Sequence, residues 1–441
     1  MSTMVEEPKK HNFLLANRKI GMWTMGLSIA ATWIWAPALF VAAQQAFTNG
    51  FWGLFWFTVP NVLALVVFAG FALRLRERIP NGYTLSGYMR ERYSKRTQGA
   101  YHAQLLIQDV CAFAVQLVAG GAIIAGITGW SYHWIVLAMV VAVLAYSLTG
   151  GFRASVMTDH IQMVIIAAVI IGISIPIVIL SGGIPNIING LSGINNPDPW
   201  MLMLSFGIPT TIILLSGPFG FSAFWQRGLA IKDPAQVKKA YHFGAAVFAI
   251  VPIGLGLVGF AAAGVNLAVD DPQLTNLTAV QEFLPAWVVI PFTIAILMGL
   301  MSTLDSAISG SSTIWGHDWS KEYSHTRARI GMLIVAALAT IVAFIPGITI
   351  LYLFFFYGTS RAATMMPTVL TLSEKINKPR ITDRGMFFGI IAGLVFGAPV
   401  MIYGQITKQW GISLIGSLCA VGLSTLIVLI TRQRSSESVE A

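Results

Sequence analysis

Long apolar stretches alternate with short polar connections along this chain, and twelve of the stretches reach about the ~20 residues that a bilayer core asks of a helix. They cover residues 20–47, 50–73, 100–128, 131–149, 154–181, 200–226, 241–266, 284–316, 329–346, 349–372, 385–405 and 411–431. Uninterrupted apolar runs of this length predict membrane helices rather than buried strands. The longer runs must tilt, break or protrude.

Two runs carry breakers at their centres. Ala30 to Pro37 places a proline in the middle of the first. Ser216-Gly217-Pro218-Phe219-Gly220 does the same in the sixth. Proline removes a donor and clashes with the carbonyl four residues back, and irregular backbone at membrane depth is tolerated only inside protein or beside a cavity. The breaks lie five helices apart, so they divide the chain into two five-helix halves of opposite topology. That is the inverted-repeat pattern of secondary transporters, with the ligand at the breaks. The predicted fold is all-α and polytopic: a 5+5 inverted repeat with helices 1 and 6 broken, followed by two further helices. The expected divisions are 1–19, an N-terminal cytoplasmic segment; 20–182, the first repeat; 200–373, the second; 385–431, helices 11 and 12; and 432–441, a cytoplasmic tail. The Gly-, Asn- and Pro-rich connection 182–199 reads as irregular.

Composition agrees. Of 441 residues 56% are hydrophobic and 10% charged, with a mean hydropathy of +0.73, whereas soluble domains carry about 25% charged residues. The net charge of +9 is a topology signal. The amino-terminal Lys9, Lys10, Arg18 and Lys19 are followed by basic residues at every even-numbered connection: Arg74 to Arg96; Arg153; Arg227, Lys232, Lys238 and Lys239; Lys321, Arg327 and Arg329; Lys375, Lys378, Arg380 and Arg384; and Arg432 with Arg434. The odd-numbered connections hold Lys408 alone. The positive-inside rule then puts both termini in the cytoplasm, in a multi-pass protein of the plasma (inner) membrane, with lipid rather than nucleic acid as its surroundings. No cleavable signal peptide is expected. Cys111 and Cys419 lie within apolar runs and read as reduced core residues. No hydrolytic triad, metal cluster or phosphate loop points to an enzyme.

The candidate chemistry concentrates in Met298–Asp318. Gly299, Ser302, Thr303, Ser306, Ser309, Gly310 and Thr313 recur at helical spacing on one face, with Asp305 among them. A polar stripe with a carboxylate does not face lipid. Close helix packing explains the small residues; a sodium site explains the oxygens, with hydroxyls from Ser302 and Thr303 and a carbonyl at Gly299. Elsewhere Asp109 and Gln116 share a face of the third helix, Asn61 sits beside Pro60, Asp159 opens the fifth helix after Gly150-Gly151-Phe152-Arg153, and Tyr357 and Arg361 share a face of the tenth. Arg361 reads as a cytoplasmic-side anchor or one half of an internal salt bridge. Asp109 reads as a structural hydrogen-bonding group or a substrate contact. Trp33, Trp35 and Phe219 line a cavity or pack.

Three runs, in order, resemble a known family. Gly299-Leu300-Met301-Ser302-Thr303-Leu304-Asp305-Ser306 resembles the eighth core helix of the sodium/solute symporter family, which includes proline, sugar, sialic acid, pantothenate and urea carriers. Gly150 to Gln162 resembles its fifth-helix motif, and Phe224-Trp225-Gln226-Arg227-Gly228-Leu229-Ala230 the ending of its sixth. The resemblance covers about residues 20–430. It implies the leucine-transporter fold, alternating access, and Na+ held by the carbonyls of Ala30, Trp33 and Gly299 with the hydroxyls of Ser302 and Thr303. It further implies a second sodium at Asp159, Ser302, Asp305 and Ser306. The chain departs from many members in lacking a helix before the first core helix, and from sugar carriers in its less polar pocket. The candidate substrate residues are Thr32, Asn61, Asp109, Gln116, Phe219, Phe221 and Tyr357, with Ser216 and Ser222 nearby. They suit a small neutral or zwitterionic solute, an amino acid such as proline, or urea. Proton coupling through Asp159, Asp305 or Asp109 is the alternative, with a channel behind it. A monomer is expected to suffice, and only a short tail is expected after the last helix, too short for a signalling module.

Overall fold

The structure is a computed structural model that describes residues 13–319, 323–375 and 380–433. The expected cytoplasmic segment falls outside the described residues up to residue 12, as do Lys321, Lys378 and the tail from Arg434. The described residues are helical, with one isolated parallel bridge between Ile20 and Ile231. In chain order the helices are α1 (Met22–Trp33), α2 (Ala36–Arg78), α3 (Leu85–Arg92), α4 (Lys95–Thr128), α5 (Tyr132–Leu180), α6 (Gly183–Gly190), α7 (Pro199–Ser216) and α8 (Ser222–Ala230). There follow α9 (Val237–Gly264), α10 (Thr275–Phe283), α11 (Val289–Thr313), α12 (His325–Ala343), α13 (Ile350–Ser373), α14 (Asp383–Ile406) and α15 (Trp410–Ile430). A π turn, Ile314–Asp318, extends α11.

Among the described residues nine helices are long and apolar enough to cross a membrane. Two of these join neighbouring predicted runs: α2 takes in the later part of the first run and the whole of the second, and α5 the fourth and fifth. The 43-residue α2 and the 49-residue α5 would be about 65 and 74 Å long if straight, more than twice a ~30 Å hydrocarbon core. Each bends at a glycine: Gly50 (φ 63°, ψ −148°) and Gly151 (φ 55°, ψ −149°). Only glycine occupies that region without strain, and an added Cβ at Gly151 would fall 2.7 Å from the Phe13 carbonyl oxygen.

Beyond the bend, α5 shows what kind of solvent surrounds the fold. Ile161, Val164, Ile171 and Ile175 are exposed, while Met163, Ile166, Ile170 and Ile173 are buried. A helix that is apolar on both its inner and outer faces belongs in lipid. The polar side chains are inside: Asp109, Asp159, Arg227, Asp305 and Arg361 are all buried.

Both predicted breaks are present. α1 ends at Trp33, Ile34 and Trp35 are extended, and Pro37 lies in the first turn of α2, where its missing N–H costs nothing. α7 ends at Ser216 and α8 resumes at Ser222. One expectation fails. The connection 182–199 is not wholly irregular, because Gly183–Gly190 forms α6. Tertiary contact supplies the reason: Asn186 donates to the Ala261 carbonyl at 2.9 Å, and Gly190 lies so close to the backbone of Phe260 that a Cβ would overlap it.

Candidate functional site

The hydroxyl stripe of α11 divides between two surroundings. Thr303 faces the break in the first helix. Its Oγ1 lies 2.9 Å from the Ile34 carbonyl oxygen, 3.4 Å from that of Thr32 and 3.5 Å from that of Gly299. The Gly299 carbonyl lies inside α11 and has its own helical donor, so the acceptors left open are the carbonyls of Thr32 and Ile34, which share the one Thr303 hydroxyl proton. They also stand at the carboxyl end of α1, where the helix dipole favours positive charge. The expected ligand set is partly re-dealt. The Ala30 carbonyl already accepts from the Ile34 N–H at 3.0 Å, and Thr32 and Ile34 present the carbonyls nearest Thr303.

Ser302, one residue back, points elsewhere. It donates to Asp159 Oδ1, and Ser28 donates to Oδ2 of the same carboxylate. Asp159 does not cap a helix start: it lies eight residues beyond the Gly151 bend, fully buried. Its main partner is Arg227 of α8, whose Nη2 lies 2.8 Å from Oδ2 with both side chains fully buried. The guanidinium also donates to Ser306 Oγ at 2.8 Å, Ser28 Oγ at 2.9 Å and the Ala223 carbonyl at 3.1 Å. Asp305 completes the network. Ser155 donates to its Oδ1 at 2.7 Å and Tyr146 to its Oδ2 at 2.9 Å, with Ser306 at 3.3 Å. Asp159, Ser302, Asp305 and Ser306 are thus brought together as expected, but around an arginine. Two carboxylates and one guanidinium leave one negative charge uncompensated in a low-dielectric interior, which calls for a further cation or proton.

Several residues expected at the substrate are engaged in the protein. Gln116 accepts from the Ala36 N–H at 2.8 Å, closing the exposed amino end of α2 at the break. Thr32 Oγ1 meets Ser306 Oγ at 3.0 Å, which assigns it to the charged network. The Asn61 side-chain amide donates to the Phe57 carbonyl, and its main-chain carbonyl accepts the Trp33 indole N–H at 3.1 Å. Phe219 packs edge-on against Phe68 and Phe71, and Phe221 against Phe224. Asp109 accepts from Ser222 at 3.3 Å and lines a cavity of about 520 Å³ with His102, Ser311 and Asp318. Tyr357 stays at the break: its ring centroid is 6.0 Å from that of Trp35, which stacks on Trp33 at 5.6 Å. Gly217 lets Trp33 approach, since a Cβ there would lie 2.2 Å from the indole. Arg361 is not an anchor at the surface and has no salt bridge among the described residues; it is buried beside Tyr357 and Trp35.

A profile described as the sodium:solute symporter family matches residues 13–393. The chain belongs to that family. Among its relatives, the "High-affinity proline transporter PutP" of Bacillus subtilis is 26% identical over 97% of this chain and 94% of its own. The "Probable urea active transporter 1" of Schizosaccharomyces pombe is 24% identical over 77% of this chain, which spans about half (55%) of that protein's length. Among solved structures, a Na+-coupled sialic acid symporter in a substrate-bound outward-open state superposes with a TM-score of 0.72, at 14% identity, over 96% of this chain and 92% of the other. The fold is that of this group of symporters, as the motifs implied. The family and these relatives are transporters, not enzymes.

Membership makes the family's sixth-helix ending more than a signature. Sequence reasoning counts Arg227 as a loop cation because Lys232, Lys238 and Lys239 follow it. In the fold it turns inward and becomes the buried partner of Asp159. Ser28, Tyr146 and Ser155 are likewise absent from the sequence-based site. The available signal was the buried carboxylate pair itself, which demands cationic and hydroxyl partners from neighbouring helices.

Proposed function

We propose that this chain is a sodium-coupled secondary active symporter that imports a small neutral or zwitterionic organic solute by alternating access. In this reading twelve segments cross the plasma (inner) membrane, both termini are cytoplasmic, the two five-helix halves 20–182 and 200–373 are inverted repeats, and a monomer suffices. The observation that carries it is the Thr303 hydroxyl set among the carbonyls of Thr32, Ile34 and Gly299 at the broken first helix. Unwound carbonyls beside a hydroxyl-bearing helix are how transporters of this architecture hold sodium. Sodium entry releases about 2.3 kcal/mol per charge per 100 mV, which is the driving force for the solute. Proteoliposome uptake at graded sodium tests the assignment. Removing both hydroxyls, Ser302→Ala with Thr303→Ala, raises the half-saturating sodium concentration by orders of magnitude. Unchanged sodium activation rules the site out.

A second cation belongs beside Asp305, where the network keeps one uncompensated negative charge. We assign it to sodium, which gives two ions per solute and a reversal potential to match. A proton is the other occupant consistent with that charge; uptake independent of sodium but steep in pH establishes it instead.

A further inference from the structure

Two arginines, Arg76 and Arg361, are buried with no carboxylate partner among the described residues, and Arg361 is the deeper of the two. It is 1% exposed, and no carboxylate lies within ion-pair distance. Of its five N–H donors, one contact is made, from Nη2 to the Ile213 carbonyl at 3.3 Å, and Nε has no partner. Its guanidinium carbon sits 4.8 Å from the Tyr357 ring centroid and 5.7 Å from that of Trp35. The Tyr357 hydroxyl and the Trp35 indole N–H are buried without partners too. Three neighbouring side chains, one of them charged, thus each keep a buried donor without a partner. An uncompensated buried charge costs several kcal/mol, so a fold that keeps one is built for an anion from outside.

The place matters as much as the charge. Trp35 lies in the first-helix break, and Gly220 of the second break rests on the Arg361 stem: an added Cβ would fall 2.6 Å from Cγ and 2.8 Å from Cβ of the arginine. A cavity of about 360 Å³, lined by Pro37, Gln44, Phe354 and Trp410, approaches from one side. Phe354, which also lines that cavity, packs with its ring centroid 5.2 Å from that of Trp35.

We infer that Arg361, Tyr357 and Trp35 form the recognition site for a carboxylate, and that the transported solute is a zwitterion carrying one, such as an amino acid. The inference rests on the proposed reading that the solute binds between the two breaks, and it narrows the solute class. A carboxylate takes two parallel bonds from a guanidinium and keeps a lone pair for each neighbouring donor. Urea presents four N–H donors and one neutral carbonyl to a site already rich in donors, and it leaves the cation uncompensated. The aromatic walls suit an organic body beyond the carboxylate.

The full-length protein in nanodiscs tests this with matched probes: L-proline against L-prolinamide, propionate against propionamide, pantothenate against panthenol, and urea. Thermal stabilisation and titration are read with and without sodium, in chloride and in sulfate. At least one carboxylate binds tenfold or more tighter than its uncharged partner and than urea. Arg361→Lys weakens that binding at least tenfold and Tyr357→Phe several-fold, while sodium alone still stabilises both variants. Equal binding of amide and acid, preferential binding of urea, stabilisation by chloride alone, full affinity in Arg361→Lys, or no binding by any carboxylate in the panel overturns the assignment. If Arg361→Lys does not fold, Tyr357→Phe and the acid–amide contrast on the parent decide. Carboxylate binding without any sodium effect defeats the sodium reading and leaves this one standing.

Discussion

Replacing Arg227 by glutamine is expected to be among the most damaging single changes in the chain. The guanidinium is fully buried, 2.8 Å from Asp159, and hydrogen-bonded to Ser28, Ser306 and the Ala223 carbonyl. Two unit charges about 4 Å apart attract by about 4 kcal/mol at an effective dielectric of about 20. The loss is compounded because Asp305 joins the same network through Ser306, so removing the arginine leaves two carboxylates with no cationic side chain between them. Breaking a buried pair from one side costs about 3–5 kcal/mol, and that is the expected loss for Arg227→Gln and for Asp159→Asn. The double variant removes both charges, so its cost should fall short of the sum of the singles by about 2 kcal/mol or more. Reversible SDS unfolding in mixed micelles, followed by tryptophan fluorescence, measures all three. Single losses below about 1 kcal/mol, or a double variant equal to the sum, refute the claim that this pair organises the interior.

Four further changes probe the same framework. Gln116→Leu leaves the Ala36 N–H at the start of α2 without its acceptor and should cost about 1–3 kcal/mol, read in the same unfolding assay. Gly151→Ala forces a Cβ into the φ 55° bend against Phe13 and should cost about 1–3 kcal/mol or more; a neutral outcome means the bend is not constrained. Thr303→Ser keeps the hydroxyl among the three carbonyls and should retain sodium activation, whereas Thr303→Val shifts it tenfold or more in proteoliposome uptake. Asp305→Asn removes the uncompensated charge and should lower the ion-to-solute ratio by one, read from the reversal potential.

Hydropathy alone makes the helices legible, because a segment in lipid must be apolar over its whole crossing. The breaks are equally legible, because Pro37 and Ser216 to Gly220 cannot continue a helix. The bends at Gly50 and Gly151 are less so: a glycine between two apolar runs does not say whether the helix ends or folds back. Side-chain direction is where reading the chain runs out. Ser302 and Thr303 are adjacent, but a turn of about 100° per residue sends one to Asp159 and the other to the break. Arg227 looks like an ordinary basic residue at a helix end, and Arg361, in the middle of the tenth run, gives no sign of whether it has a partner. Only the packing of α8 on α11 and of α13 beside the breaks shows that both are buried, one paired and one not.

The first-helix break joins these features into one device. Ile34 gives its carbonyl to the Thr303 site, and the next residue, Trp35, places its ring over Arg361. No stretch of chain separates the two roles. An ion that draws the Ile34 carbonyl toward α11 fixes the torsions that aim Trp35, and so biases the pocket under it. A ligand shifts an equilibrium only by its differential affinity for the two states, so coupling through the proposed sodium site requires it to be complete in one arrangement of residues 34–35 and incomplete in the other. Linkage then requires the solute to tighten sodium by the factor with which sodium tightens the solute. The Arg227–Asp159 pair supplies what such a device needs on its other flank. It ties α8, just beyond the second break, to α5, with Ser302 and Ser306 of α11 bonded to either side of it.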